Sequence, residues 1–148
     1  MIEVLIAVTL VGILAAVAIP QYSAYVIRGQ RAAAKTALEQ MAQFLERNYT
    51  ASGCYNFADG PSCVAQGGNA VVPPFTSAPT DGSAATYGIL VAPAAQSFLV
   101  TATPCGAGGG CPATANQGFT DPDCGALTLD NTGAKTAAAG TVARCWAR

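Results

Sequence analysis

The sequence predicts an α+β protein in which a long N-terminal α-helix packs by its C-terminal half against a small antiparallel β-sheet. Three observations point to this fold. Residues 1–19 form an almost continuous apolar run, a helical repeat of apolar residues continues to about residue 52, and short alternating segments with six cysteines follow. A chain of 148 residues holds one compact domain in addition to the leading helix.

The apolar run MIEVLIAVTLVGILAAVAI carries one charged side chain, Glu3. As a helix it spans about 28 Å, close to the hydrocarbon core of a bilayer at about 30 Å. A carboxylate inside such a run costs about 2.5–3.5 kcal/mol on insertion scales, so it indicates a positive partner. The amino terminus at Met1 of a neighbouring copy would supply that charge. The run is therefore a candidate for a membrane anchor and for the core of a self-assembling fibre.

Two simpler interpretations of this run are weaker. An ordinary single-pass anchor explains the apolar residues but leaves Glu3 without a purpose. A cleaved secretory signal would have a positive segment at its start, yet the first Lys or Arg of the chain is Arg28.

Pro20 is expected to kink the helix because it removes an amide donor and crowds the preceding turn. Gly12 is a second weak point. These features divide the chain into an apolar segment, 1–24, and a head, 25–148, whose helix ends near residue 52 at Gly53. Apolar residues at helical spacing define the face of this helix that meets the sheet: Leu38, Met41, Ala42, Leu45 and Tyr49.

Loops and strands are predicted beyond the helix. Residues 54–85 and 104–123 are rich in Gly, Pro, Ser and Asn and are expected to be loops. Turn residues at 93–95 and 131–133 mark the connections of an antiparallel sheet. The predicted strands are Thr86–Ala92, Gln96–Thr103 and Gly125–Asp130.

The six cysteines all follow the helix and indicate a disulfide framework formed in an oxidising compartment. Six cysteines allow 15 pairings. We favour the bonds between sequence neighbours, which close three short loops: Cys54–Cys63, Cys105–Cys111 and Cys124–Cys145. A metal site is the weaker alternative, since the chain has no CxxC motif and no histidine.

Composition argues against catalysis and against strong nucleic-acid binding. The net charge is −1 and histidine, the usual general base, is absent, so we expect no catalytic residues and no cofactor. Arg28, Arg31 and Lys35 form a positive cluster just past the apolar run. It is expected to be a solvated face, an interfacial anchor or a partner for acids of adjacent subunits. Beyond the helix, three basic residues stand against five aspartates, so the head does not look basic.

The two ends of the chain resemble type IV pilins. The motifs at the front are IEVLI at 2–6, GILAA at 12–16 and IPQY at 19–22. The back resembles a subset of small pilins through LVTATP at 99–104, CGALTLDNTGAK at 124–135 and the closing Cys145-Trp146. Family members normally begin, after prepilin peptidase cleavage, with an N-methylated Phe and one more residue, and both are missing before Met1.

The resemblance implies a structural subunit that is anchored in the bacterial inner membrane before assembly. It is then assembled into an extracellular helical filament of identical copies. Assembly machinery and prepilin peptidase would be its partners. Glu3 resembles the assembly glutamate that pairs with the amino terminus of the next subunit. The stretch from Gly12 to Pro20 resembles the one whose helix can unwind in the fibre. Adhesion, twitching motility or DNA uptake would belong to the whole fibre.

Two other functions stay open at this point. The tail resembles that of minor pilins that act as DNA-uptake receptors, although the head offers few basic residues. A pseudopilin of a type II secretion system shares the same leading helix and commonly binds calcium through clustered acids. Asp121 and Asp123 are the only tight acidic pair that such a site could use.

Overall fold

The computed structural model describes residues 2–57, 63 and 70–147. Its elements follow one another as a long helix, four strands interrupted by a short 3-10 turn at Cys105–Ala107, a fifth strand and a closing helix. Their bounds are α1 Ile2–Ser52, β1 Ser77–Ala78, β2 Tyr87–Pro93, β3 Phe98–Pro104, β4 Leu127–Asp130, β5 Lys135–Ala137 and α2 Val142–Trp146.

Helix α1 ends where the sequence predicts. Gly53 adopts φ +77°, a left-handed conformation that glycine accepts without steric cost. Its amide donates to the carbonyl of Tyr49 at 2.7 Å. The helical assignment is unbroken across position 20. Pro20 therefore does not divide α1 into two elements, and the kink expected there stays a prediction.

The five strands form one antiparallel sheet in the order β1-β2-β3-β4-β5. Three of them are the strands that the sequence predicts, with ends shifted by one or two residues. The predicted turn after β4 is closed by Asp130, whose Oδ1 accepts from the amides of Thr132 at 2.8 Å and Ala134 at 2.9 Å. Sequence reasoning missed β1, β5 and α2, which are only two, three and five residues long.

The core lies between the sheet and the second half of α1. Leu38, Met41 and Leu45 are fully buried, as their helical spacing predicts. They meet the alternate residues of the central strands, of which Val100 and Leu127 are fully buried. The α+β prediction is thereby confirmed, and the head rests on one side of one helix.

Disulfides and a close backbone contact hold the loops. The three bonds join sequence neighbours: Cys54–Cys63, Cys105–Cys111 and Cys124–Cys145. The loop closed by Cys105–Cys111 presses the carbonyl of Gly109 against the backbone of Gly88, where a Cβ atom would overlap it. A glycine at position 88 is thus needed for this loop to lie on the sheet.

Candidate functional site

The first half of α1 is an apolar surface that the monomer leaves uncovered. None of the residues from Ile2 to Ile19 is buried, and large side chains such as Leu5 remain 66 % exposed. The helix contains one segment long and apolar enough to cross a membrane. Soluble monomers rarely expose so much contiguous apolar surface, which marks an interface with lipid or with another chain.

Glu3 lies in the first turn of this helix, along a shallow groove lined by Val4, Ala7, Val8 and Val11. The groove is apolar apart from this carboxylate. Met1, its predicted partner in a neighbouring copy, lies outside the described residues. A side-chain carbon added at Gly12 would meet no neighbouring side chain or loop within 4 Å, so its surroundings are open. The structure therefore places Glu3 and Gly12 on the exposed apolar half of α1.

A buried ion pair joins α1 to the loop after β3. The guanidinium of Arg31 donates to both carboxylate oxygens of Asp121, at 2.7 and 2.6 Å. Tyr87 Oη donates to the same carboxylate at 2.7 Å, and the carboxylate also accepts from the backbone amide of Cys124 at 3.2 Å. The Asp121 side chain is wholly buried and that of Arg31 is 7 % exposed.

These contacts change the ionisation of the three side chains. The hydrogen bond to Asp121 raises the pKa of Arg31. Burial would raise the pKa of Asp121, but the hydrogen bonds from Arg31 and Tyr87 outweigh it and the pKa lies below its usual value. Burial, followed by the bond to Asp121, raises the pKa of Tyr87. The pair is therefore charged at neutral pH, while the phenol stays neutral.

The ion pair corrects the expectation that Arg31 lies on a solvated face. It also weakens the expectation of a calcium site at Asp121 and Asp123. Arg31 is not part of a solvated basic face, because it is committed to Asp121. The carboxylate of Asp123 contacts Arg144 at 3.0 Å and Arg31 at 3.6 Å. Both acids of the predicted acidic pair thus hold arginines. Within residues 2–57, 63 and 70–147, no group of three or more His, Cys, Asp or Glu residues could hold a metal ion.

Basic side chains from both ends of the head meet on one side. Arg28, Lys35 and Arg144 line one cleft between α1 and α2, and Lys35 also lines the next cleft with Lys135. We call Arg28, Arg31, Lys35, Lys135 and Arg144 the basic side; they are five of the seven lysines and arginines of the chain. Three acids, Glu39, Asp121 and Asp123, lie among them. Five positive charges against three negative ones leave a net charge of +2.

The basic side is held together by the end of the described chain. Lys35 Nζ donates to the carbonyl of Ala147 at 2.7 Å. Lys135 Nζ lies 3.1 Å from Glu39 and 4.7 Å from the ring centre of Trp146. The Cys124–Cys145 bond ties α2 to the loop that carries both acids. The sequence groups Arg28, Arg31 and Lys35, but it does not show that Lys135 and Arg144, 100 or more positions farther along, join them.

Comparison with known proteins gives one family and two similar structures. The model of the family described as "Type IV minor pilin ComP, DNA uptake sequence receptor" matches residues 20–128, well over half of the chain. The non-core minor pilin PilV of Neisseria meningitidis is 17 % identical with a TM-score of 0.47, and covers 78 % of this chain and 89 % of its own. A type IV pilin from Shewanella oneidensis is 24 % identical with a TM-score of 0.47, over 82 % and 99 %. No curated protein sequence matches the chain.

A helix whose first half is apolar and uncovered, a disulfide-bonded head and the family match define the class: the protein is a type IV pilin, a structural subunit of a pilus. Within that class, the chain belongs to the family of the type IV minor pilin ComP, DNA uptake sequence receptor. Membership implies assembly into type IV pilus fibres, and the apolar helix fits anchoring in a membrane beforehand.

Proposed function

We propose that this subunit enters the fibre through the apolar half of α1, residues 2–24, and that Glu3 receives the amino terminus of a neighbouring copy at Met1. The observation that carries the proposal is the exposed apolar half of α1, with Glu3 as its one charged side chain. Packing of several copies side by side would remove this surface from water and give the carboxylate a counter-charge.

The same segment would serve first in the membrane and then in the filament. Before assembly, the apolar half spans the inner membrane, after prepilin peptidase has removed any leader. The assembly machinery then draws the subunit out of the bilayer into an extracellular filament of identical or related subunits. Transfer becomes favourable when Glu3 gains its partner, since leaving one member of a buried ion pair alone costs about 3–5 kcal/mol.

The test is the amount of full-length subunit in sheared fibres compared with the amount in the membrane. We expect Glu3→Gln to lower the fibre fraction at least tenfold while the membrane fraction is unchanged. Glu39→Gln is the matched control, because Glu39 lies on the same helix and is 54 % exposed. Normal incorporation of Glu3→Gln, or equal loss in both variants, would contradict the proposal.

The basic side supports DNA binding as a second function. The family description names a DNA uptake sequence receptor, and phosphates are held chiefly by clustered Lys and Arg side chains. Beyond α1 the sequence has three basic residues, and the fold brings two of them, Lys135 and Arg144, beside the basic residues of α1. Together with the three acids that lie among them, these residues carry a net charge of +2, against −1 for the whole chain.

DNA binding is testable with the full chain in detergent micelles and a fluorescent duplex. We expect Lys35→Gln and Arg144→Gln each to weaken binding several-fold and to reduce its dependence on salt. Arg47→Gln controls for general charge, since Arg47 lies on α1 away from the basic side. A scrambled duplex separates sequence-dependent from general binding. Absence of binding at low salt would contradict this function.

A further inference from the structure

Arg28 differs from the other members of the basic side. Arg31 and Arg144 contact aspartates, Lys135 contacts Glu39, and Lys35 donates to the carbonyl of Ala147, just past α2. Arg28 has no ion pair within the part of the chain that the structure describes. Its Nε donates to the carbonyl of Ala24, one turn nearer the apolar segment, at 3.2 Å. The guanidinium therefore points back along α1 toward the apolar segment.

The height of this guanidinium along the helix matches the headgroup layer of a bilayer. At about 1.5 Å per residue, a hydrocarbon core of about 30 Å that begins at Ile2 ends near Tyr22. The headgroups on that side occupy about the next 5–7 Å, which extends to the level of residue 26. The carbonyl of Ala24, to which Arg28 Nε donates, falls inside this layer.

Two exposed aromatic side chains lie at the same level. Tyr22 and Tyr25 are each 70 % exposed on α1, and Tyr25 lines a cleft with Arg28, Gly29 and Gln30. Tyrosines with an apolar ring and a polar tip gather at the membrane–water interface. An arginine at this depth presents a planar fork of donors that fits a phosphate better than a lysine would.

We propose that Arg28, flanked by Tyr22 and Tyr25, binds the phosphate of an anionic phospholipid headgroup while the subunit stands in the membrane. This inference rests on the proposed function, because it requires the apolar half of α1 to span a bilayer. The contact fixes how deep the subunit sits. It must be released when the subunit is drawn into the fibre.

The experiment measures phospholipid retention by the full chain in detergent micelles, using native mass spectrometry with phosphatidylglycerol and phosphatidylcholine. We expect phosphatidylglycerol to bind more tightly, and Arg28→Gln to weaken it about fivefold, the effect of one basic residue at an anionic surface. Arg28→Lys should retain part of the binding. Arg47→Gln is the matched control: Arg47 lies on the same helix, also has no ion pair among the described residues, and is about 28 Å farther from the membrane.

Several results would overturn the inference. Equal retention of the two lipids, or equal loss in Arg28→Gln and Arg47→Gln, would leave no headgroup site at Arg28. Full displacement of phosphatidylglycerol by glycerol phosphate would show a site for free phosphate instead. An Arg28→Gln variant that loses only duplex DNA would assign Arg28 to nucleic acid.

The outcome separates this inference from the proposed function. Chains that co-sediment with vesicles but show no lipid preference contradict the headgroup site alone. Chains that do not enter vesicles at all contradict the membrane stage of the proposed function. Variants at Glu3 change assembly, and we expect them to leave phosphatidylglycerol retention as it is in the unaltered chain.

Discussion

Arg31 on α1 and Asp121 in the loop before β4 form a buried pair through two hydrogen bonds of 2.7 and 2.6 Å, although 90 positions separate them. The loop that carries Asp121 has little regular structure of its own. Its position on the head is set by this pair, by Tyr87 and by the Cys124–Cys145 bond.

Removal of one partner should therefore destabilise the head strongly. We expect Asp121→Ala to lower the free energy of unfolding by about 3–5 kcal/mol, because it leaves a buried guanidinium without a counter-charge. Asp123→Ala is the control, since Asp123 is half-exposed and its loss should cost less than about 1 kcal/mol. Urea denaturation of the full chain in micelles compares the two variants, and similar losses would contradict the prediction.

The lowered pKa of Asp121 predicts a loss of stability in acid. Its carboxyl is ionised in the folded head at pH values where the unfolded chain, with an ordinary pKa of about 3.9, already binds a proton. Stability is thus present at neutral pH and falls as pH drops below about 4 toward the lowered pKa. Asp121→Asn should flatten this part of the curve of unfolding free energy against pH. Parallel curves for the variant and the unaltered chain would contradict the assignment.

Gly88 should not tolerate a side chain. A methyl group there would overlap the carbonyl of Gly109, so Gly88→Ala should cost about 1–3 kcal/mol as the loop is displaced. Gly118→Ala is a suitable control, because its nearest neighbour would lie at an ordinary 3.7 Å. Melting temperatures of the two variants test this, and equal values would show that the loop yields without cost.

Two leucines of α1 should separate folding from assembly. Leu38 is fully buried, so Leu38→Ala should lower the free energy of unfolding by about 2–5 kcal/mol. Leu5 is 66 % exposed in the monomer, so Leu5→Ala should leave the melting temperature unchanged. It should nevertheless reduce the share of subunit found in sheared fibres. A normal fibre share would argue against the apolar half as the assembly surface.

The disulfides should differ in their contributions. In the chain-entropy description, closing the 21-residue separation of Cys124–Cys145 contributes about 3 kcal/mol, and the 6-residue separation of Cys105–Cys111 about 2 kcal/mol. Replacing Cys124 and Cys145 together by Ser should thus be the more damaging change, and it should also release α2 from the basic side. The reverse order of melting temperatures would contradict this ranking.

The large features of the fold follow from local patterns, and the missed ones do not. Helix α1 and strands β2, β3 and β4 carry clear spacing of apolar residues over four or more positions. Strands β1 and β5 are too short for any period to be visible. One residue could have predicted the start of helix α2. Thr141 is its N-cap, and its hydroxyl accepts from the amide of Arg144 at 3.2 Å.

One member of the ion pair, Arg31, can be predicted to be buried from the sequence. Arg31 precedes Leu38 by seven positions and Leu45 by fourteen, which places it on the face of α1 that is buried. That spacing contradicts a solvated arginine and requires an acidic partner. The sequence does not identify that partner, because Asp121 and Asp123 lie in a loop without periodicity. Only the three-dimensional path of the chain selects between them.

The strap formed by Lys35 and the carbonyl of Ala147 has a practical consequence for anyone who wishes to label this molecule. A purification or fluorescent fusion appended just beyond Ala147 would disturb the hydrogen bond from Lys35 to the Ala147 carbonyl and would crowd the Trp146 indole. The exposed tip from Asp81 to Ala84 is a better place for a short epitope. An insertion there leaves both helices and every cystine of the head untouched.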